Sequence, residues 1–205
     1  MRSRRRTWML GGIGLIACAV IDVVAAAAPG LAGAGVLRVF GDVVYAAAVL
    51  LFAVGLTADA SVVRRGPLGV VAMTIVAVWP LVASIAAQLV ASSAPATWWS
   101  VYGYVALVVP AGAGLVAAMR IARAAVVPDP WRWAPLWVLG VHAAAAVLPQ
   151  IFMVASDRSA IQSVAGVFSA IGMLSFLTGT LGLGILALVL AASQRPDTVE
   201  IFRSA

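Results

Sequence analysis

Six long apolar stretches, separated by short polar segments, constrain most strongly what this chain can fold into. They cover residues 8–28, 37–56, 67–91, 100–121, 133–155 and 164–192. An apolar α-helix of about 20 residues crosses the hydrocarbon core of a bilayer. The last stretch is longer than that and is expected to tilt or to project from the membrane. The sequence therefore predicts an all-α membrane protein, a bundle of six transmembrane helices that forms a single polytopic domain over residues 1–205.

The composition leads to the same class of protein. Hydrophobic residues make up 64% of the chain, charged residues 10%, and the mean hydropathy is +1.10. A soluble domain is about half apolar and about a quarter charged, so lipid is the expected solvent here. The polar segments are too short to hold a soluble domain, and a single cysteine, Cys18, excludes an internal disulfide. The basic balance belongs to the loops of a membrane protein, and no nucleic-acid partner is expected.

The arginines predict the orientation. With six spans, both termini and the second and fourth loops lie on one side of the membrane. That side carries eleven of the thirteen arginines, and only Arg38 and Arg158 fall on the other. Positively charged loops stay in the cytoplasm, so both termini are predicted to be cytoplasmic. The chain has no lysine and is rich in Ala, Val, Gly and Arg, which indicates a bacterial genome of high GC content and hence the bacterial cytoplasmic (inner) membrane.

The first apolar stretch has a second interpretation. Arginines before an apolar run, followed by the small residues 25–28, are also typical of a cleaved signal peptide. Residues 15–18, which end at Cys18, resemble the lipobox of bacterial lipoproteins. The apolar run continues past Cys18, however, and its length suits a full span, so we expect an uncleaved helix.

A small charged layer is predicted near one end of the first two spans. Arg38 and Asp42 are four residues apart, so they share one helix face and can pair. Asp22 lies about 9 Å inside the end of its span and Asp42 about 8 Å inside the start of the next. Because consecutive spans are antiparallel, the three charges should meet at one depth. An acid inside a span usually faces the bundle interior with a partner. We expect a structural pair with Arg38, or a neutral acid bonded to a carbonyl, and keep an ion or proton site as the alternative.

Two further polar residues complete the candidate intramembrane polar site of Asp22, Arg38, Asp42, His142 and Gln150. His142 lies about 14 Å into the fifth span, near the middle of the membrane. A proton relay or a metal ligand is one interpretation, but the chain has no second histidine and no acid near that depth. A neutral imidazole that bonds a neighbouring helix is therefore expected, and Gln150 is expected to make an interhelical hydrogen bond, as is Gln88.

The sequence does not reveal a specific activity. It has no GxxxxGKS/T phosphate loop, no HExxH, no GxSxG and no His or Cys pair with ligand spacing, so no catalytic, cofactor-binding or metal residues are predicted. The favoured function is a non-enzymatic bundle that serves structure or partner binding. The alternative is a small transporter or channel-like protein that uses the outer polar layer, and a lipid-modifying enzyme is the least favoured. The expected partners are the lipid bilayer and either a second copy of the chain or another membrane protein.

Three structural criteria separate these classes. A transporter predicts a water-accessible cavity lined by Asp22 and His142. An enzyme predicts two acids, or a histidine and an acid, within hydrogen-bond reach. A structural protein predicts a closed bundle in which those side chains are paired off.

Overall fold

A computed structural model describes residues 2–27, 33–90, 95–129, 131–155 and 158–193. The described residues are helical apart from short connections, and no strand occurs among them. The α-helices are α1 (Arg2–Ala27), α2 (Ala34–Val54), α3 (Pro67–Val90), α4 (Ala96–Ala124), α5 (Ala134–Ala155), α6 (Arg158–Leu177) and α7 (Leu183–Ser193). Six helical segments are long and apolar enough to cross a membrane, which confirms the predicted all-α membrane bundle.

The helix ends follow the local sequence. Gly33 and Gly55, on either side of α2, have positive φ angles of 105° and 67° that glycine adopts without a steric penalty. α3 begins at Pro67, where the missing N–H would have no helical partner in any case. α1 begins at Arg2, so the arginines that precede the first apolar stretch belong to its first turns. The predicted span ends at residues 28 and 91 lie outside the described residues.

The bundle is built around α1, which packs against α2 on one side and α7 on the other. α2 packs against α3, and α3 against α4. The contact between α1 and α7 is backbone to backbone. A Cβ atom added at Gly12 would lie 2.9 Å from the Gly184 carbonyl oxygen, and one added at Gly184 would lie 2.9 Å from that of Gly12. Small residues let membrane helices approach this closely, and alanines make up much of the remaining core.

The sequence predicted one continuous helix for the sixth span, but the structure interrupts it. Five residues, Thr178–Gly182, form a π-helical turn between α6 and α7. The hydroxyl of Thr180 is buried and donates to the Phe176 carbonyl oxygen over 2.9 Å. That of Thr178 donates to the Ser175 carbonyl oxygen over 2.6 Å. These bonds satisfy polar groups inside the membrane-spanning segment, where water is scarce.

The connection between α2 and α3 closes one end of the bundle. The hydroxyl of Ser61 is buried, donates to the Ala53 carbonyl oxygen over 2.5 Å and accepts the Arg65 amide N–H over 3.0 Å. The Arg65 guanidinium in turn donates to the Val54 carbonyl oxygen at 2.9 Å. α1 is tied to the same connection, because the buried Thr7 hydroxyl accepts the amide N–H that follows Gly55. We call this end, which carries the described arginines of α1, the α2–α3 connection and the last turns of α4, the arginine-rich end.

α5 and α6 carry a surface that the other helices leave largely uncovered. Large apolar side chains of α5 and α6 stand free, among them Trp137, Ile151 and Leu174, which are 76%, 60% and 63% exposed. In a soluble protein such a surface would be a liability, but lipid chains cover it in a membrane. The exposure is therefore that of a lipid-facing surface.

Candidate functional site

α1, α2 and α3 bring together the two intramembrane acids. Asp22 lies on α1 and Asp42 on α2, and the two are close enough to interact electrostatically. Asp22 contacts α2 directly, because its Oδ1 atom lies 2.8 Å from where a Cβ atom at Gly41 would be. The carboxyl group thus occupies the space that the absent side chain leaves. Asp22 therefore lies beside the residue that precedes Asp42 on α2.

Each acid accepts a hydrogen bond from inside the bundle. The Cys18 thiol, one turn before Asp22 on α1, donates to Asp22 Oδ2 over 3.4 Å. The Ser84 hydroxyl of α3 donates to Asp42 Oδ2 over 2.5 Å. Cys18 is 1% exposed, and both acids are half-buried. We call these four residues, Cys18, Asp22, Asp42 and Ser84, the carboxyl layer.

Arg38 does not belong to this layer, and its predicted pairing with Asp42 or Asp22 is wrong. Among the described residues, the ion pair formed is that of Arg132 Nε with Asp129 Oδ1, at 2.7 Å. Arg38 is exposed near the start of α2 and interacts with Asp22 at longer range. A long cationic side chain at the end of a span reaches more polar surroundings at little cost. The two acids instead use the neutral donors packed beside them.

His142 lies on a different part of the bundle. α5 packs against α4, α6 and the π-helical turn, whereas the carboxyl layer is built by α1, α2 and α3. The imidazole Nδ1–H donates to the Val138 carbonyl oxygen over 3.0 Å, so its bond is within its own helix and not to a neighbouring one as predicted. The ring packs on the π-helical turn, since its Cε1 atom lies 2.8 Å from where a Cβ atom at Gly179 would be.

The two glutamines make no interhelical hydrogen bond in the part of the chain that the structure describes. Gln88 on α3 and Gln150 on α5 are both exposed. The expectation that each bonds a neighbouring helix is therefore wrong for these helix contacts. Of the five residues predicted as one polar site, the structure brings together only Asp22 and Asp42. Arg38 is exposed near the start of α2, and His142 and Gln150 lie on α5.

Two cavities, of about 310 and 450 Å³, lie outside the carboxyl layer. The first is lined by Arg4 and Trp8, and the second by Trp131, Trp137 and their neighbours. Within the described ranges, no group of three or more His, Cys, Asp or Glu side chains is arranged to hold a metal ion.

Sequence reasoning missed the donors of the carboxyl layer. Cys18 and Asp22 are four residues apart, a spacing that places them on one helix face and could have indicated their bond. Ser84 gave no such signal, because its contact with Asp42 depends on the register between α2 and α3. The hydrogen-bond donors of the two acids could therefore be identified only from the structure.

Comparisons with models of known protein families, with curated proteins and with solved structures find no match for this chain. Its function is therefore argued from its own residues.

Proposed function

We propose that this chain is a non-enzymatic integral membrane protein, a multi-pass bundle of the bacterial cytoplasmic membrane with both termini in the cytoplasm. Its intramembrane polar groups hold helices together. The observation that carries the proposal is the bonding of the carboxyl layer, where Asp22 and Asp42 each accept a hydrogen bond from a side chain packed beside them. This is the paired-off arrangement that a structural role requires.

Two further observations support the same function. A transport path would need Asp22 and His142 on a common cavity, yet they belong to different helix groups. General acid–base chemistry would need an acid and a base that face a place for substrate. Asp22 instead fills the space above Gly41. The imidazole of His142 has its Nδ1–H committed to Val138.

The test separates stability from transport in one variant, Asp22→Asn. A structural acid predicts a loss of about 0.5–1 kcal/mol in the free energy of unfolding, because polar contacts between membrane helices average about 0.6 kcal/mol and Asp22 contacts α2 at Gly41. Proton flux is followed in proteoliposomes with a trapped pH-sensitive dye and a potassium diffusion potential, and we expect the protein-free rate. A protein-dependent proton flux that Asp22→Asn abolishes without loss of stability would overturn the proposal.

A double variant checks the position of Arg38. Because no ion pair joins Arg38 to Asp22, the losses caused by Asp22→Asn and Arg38→Gln should add within about 0.5 kcal/mol. Thermal unfolding of the two single variants and the double variant in detergent measures this. A double variant that recovers part of the loss would show that the two side chains meet in the membrane.

One observation favours a second candidate, a small transporter for protons or monovalent cations. Asp22 and Asp42 are neighbouring acids, and Arg38 does not neutralise either of them directly. Two carboxylates in a place with little water repel each other, and a shared proton or cation relieves the repulsion. The flux assay distinguishes this candidate from the first, since only a transport path predicts a rate above that of protein-free vesicles.

A further inference from the structure

A cavity of about 310 Å³ lies at the arginine-rich end of the bundle, away from the carboxyl layer. Its lining comes from three places in the chain. Arg4 and Trp8 belong to the first turns of α1, Val126 follows the end of α4, and Ser193 is the last residue of α7. The cavity thus lies where three membrane-spanning helices reach the membrane surface, and its volume is at the small end of ligand sites.

Two nitrogen donors of the lining lack an acceptor. Arg4 donates from Nη2 to the Val126 carbonyl oxygen, and its guanidinium carbon lies 5.1 Å from the ring centroid of Trp8. Arg4 Nε and Trp8 Nε1 are buried and have no hydrogen-bond partner among the described residues. Trp8 as a whole is 2% exposed. Both nitrogens are donors with no capacity to accept, so the group that would satisfy them is rich in acceptor oxygens.

The charge around the cavity favours an anion. Other arginines of the same end are exposed, among them Arg6, Arg120 and Arg123. Two described acids lie at this end and are outnumbered by its arginines: Asp129 pairs with Arg132, and Asp59 of the α2–α3 connection is exposed. The electrostatic potential at this end of the bundle is therefore positive, and a phosphate group fits both the charge and the unpaired donors.

We propose that this cavity binds the phosphate group of an anionic phospholipid, with Arg4 as the charged contact. A lipid is the favoured source because the cavity lies at the ends of membrane-spanning helices, at the depth of the headgroups. Basic pockets between such helix ends are where anionic headgroups bind, and a tryptophan beside them is typical of that interface. The free phosphate ion offers the same chemistry and is the source to be excluded.

The test uses the full chain and measures lipid preference. The detergent-solubilised protein is incubated with equal amounts of phosphatidylglycerol and phosphatidylcholine, and native mass spectrometry gives the ratio of the bound lipids. We expect a preference for phosphatidylglycerol that Arg4→Gln lowers about five- to tenfold, the effect of one arginine close to a headgroup. Arg5→Gln is the matched control, since Arg5 is exposed on the next position of α1 and should keep the ratio unchanged.

A second variant keeps the proposal testable if Arg4→Gln does not fold. Ser193→Trp leaves Arg4 in place and fills the cavity from the end of α7, so it should also abolish the preference. Loss of the preference in both variants, with Arg5→Gln unaffected, supports the site. An unchanged ratio in Ser193→Trp would overturn it, because the arginine would then attract lipid from outside the cavity.

Two further arms identify the source of the anion. Inorganic phosphate at millimolar concentration should not displace phosphatidylglycerol, and equal competition by phosphate would overturn the assignment to a lipid. The chain also carries two acids close to its end, Asp197 and Glu200. If phosphatidylglycerol is preferred only after the double change Asp197→Asn and Glu200→Gln, the anion bound at Arg4 is the chain's own carboxylate and the lipid proposal fails.

Discussion

The hydrogen bond between Ser84 and Asp42 offers the sharpest test of the carboxyl layer. It joins α3 to α2, and the Ser84 Oγ atom lies 2.5 Å from Asp42 Oδ2. Ser84→Ala removes the donor, and Asp42→Asn replaces the carboxyl with a neutral amide of the same shape. A double-mutant cycle over these two changes isolates the energy of their interaction from the other effects of each substitution.

The expected coupling follows from the setting of the bond. In soluble proteins a hydrogen bond to a charged group contributes about 1.5–3 kcal/mol. Interhelical bonds in membranes average about 0.6 kcal/mol and reach about 1.7, because the separated helices find other partners. The Ser84 bond is short, but its acceptor is only half-buried, so we expect a coupling of about 1 kcal/mol.

The chain supplies its own probe for the measurement. Cys18 is the one cysteine of the sequence and is 1% exposed in the carboxyl layer. A dye that fluoresces on reaction with a thiol therefore stays dark until heating separates the helices around α1. For a chain of this length, 1 kcal/mol corresponds to about 2–4 °C in the unfolding midpoint. The double variant should therefore unfold about 2–4 °C above the value expected from additive losses.

A matched residue on the same helix controls for nonspecific effects. The Thr74 hydroxyl donates to the Val70 carbonyl oxygen of its own helix, over 2.9 Å, and does not contact Asp42. Thr74→Ala should therefore show no coupling to Asp42→Asn. If the losses of Ser84→Ala and Asp42→Asn also add within about 0.3 kcal/mol, the two side chains do not bond in the membrane. The proposal that Asp42 holds α2 to α3 is then refuted.

Three further predictions concern the architecture. A reporter active only in the periplasm should be active when fused after Ala94 and silent after Arg65, and the reverse pattern would contradict the predicted orientation. Gly41→Ala should lower the unfolding midpoint, because the added Cβ atom would lie 2.8 Å from an Asp22 oxygen, whereas Gly35→Ala on the same helix meets no atom within 4 Å and should be neutral. Mass spectrometry of the membrane-extracted protein should recover residues 2–6, and a mature chain that starts at the cysteine with attached lipid would refute the uncleaved first helix.

The number of helices and their approximate bounds could be predicted because hydrophobicity along the sequence records the thickness of the membrane. Each apolar stretch must satisfy its backbone internally, so a helix is the one local structure available to it. The same reasoning failed for the π-helical turn of Thr178–Gly182. That turn depends on which carbonyl each amide selects, and the average hydropathy of the span contains no information about that choice.

The sequence predicted how far along their helices the two acids lie, but not which side chains bond them. The positions of Asp22 and Asp42 along antiparallel helices place them at one level, and the structure agrees. Charge complementarity indicated Arg38 as the partner, whereas neutral donors, Cys18 and Ser84, hold the acids in the structure. Which side chains face each other across two helices depends on rotation and register, and small residues such as glycine and alanine set these through packing.

The positions of the polar bonds divide the bundle into two parts. At one end of α2, the Ser84–Asp42 bond joins it to α3, and Asp22 of α1 lies against Gly41. At the other end, Thr7 of α1 bonds the chain that follows Gly55. Between these ends the helices pack through alanine and glycine, so the polar bonds fix the register and the small residues provide the contact area. α5 and α6 face each other through Phe152 and Phe168, whose ring centroids are 5.4 Å apart. Such an apolar contact competes with lipid chains of equal polarity, so the part built on α1 and α2 is the one whose geometry the protein itself determines.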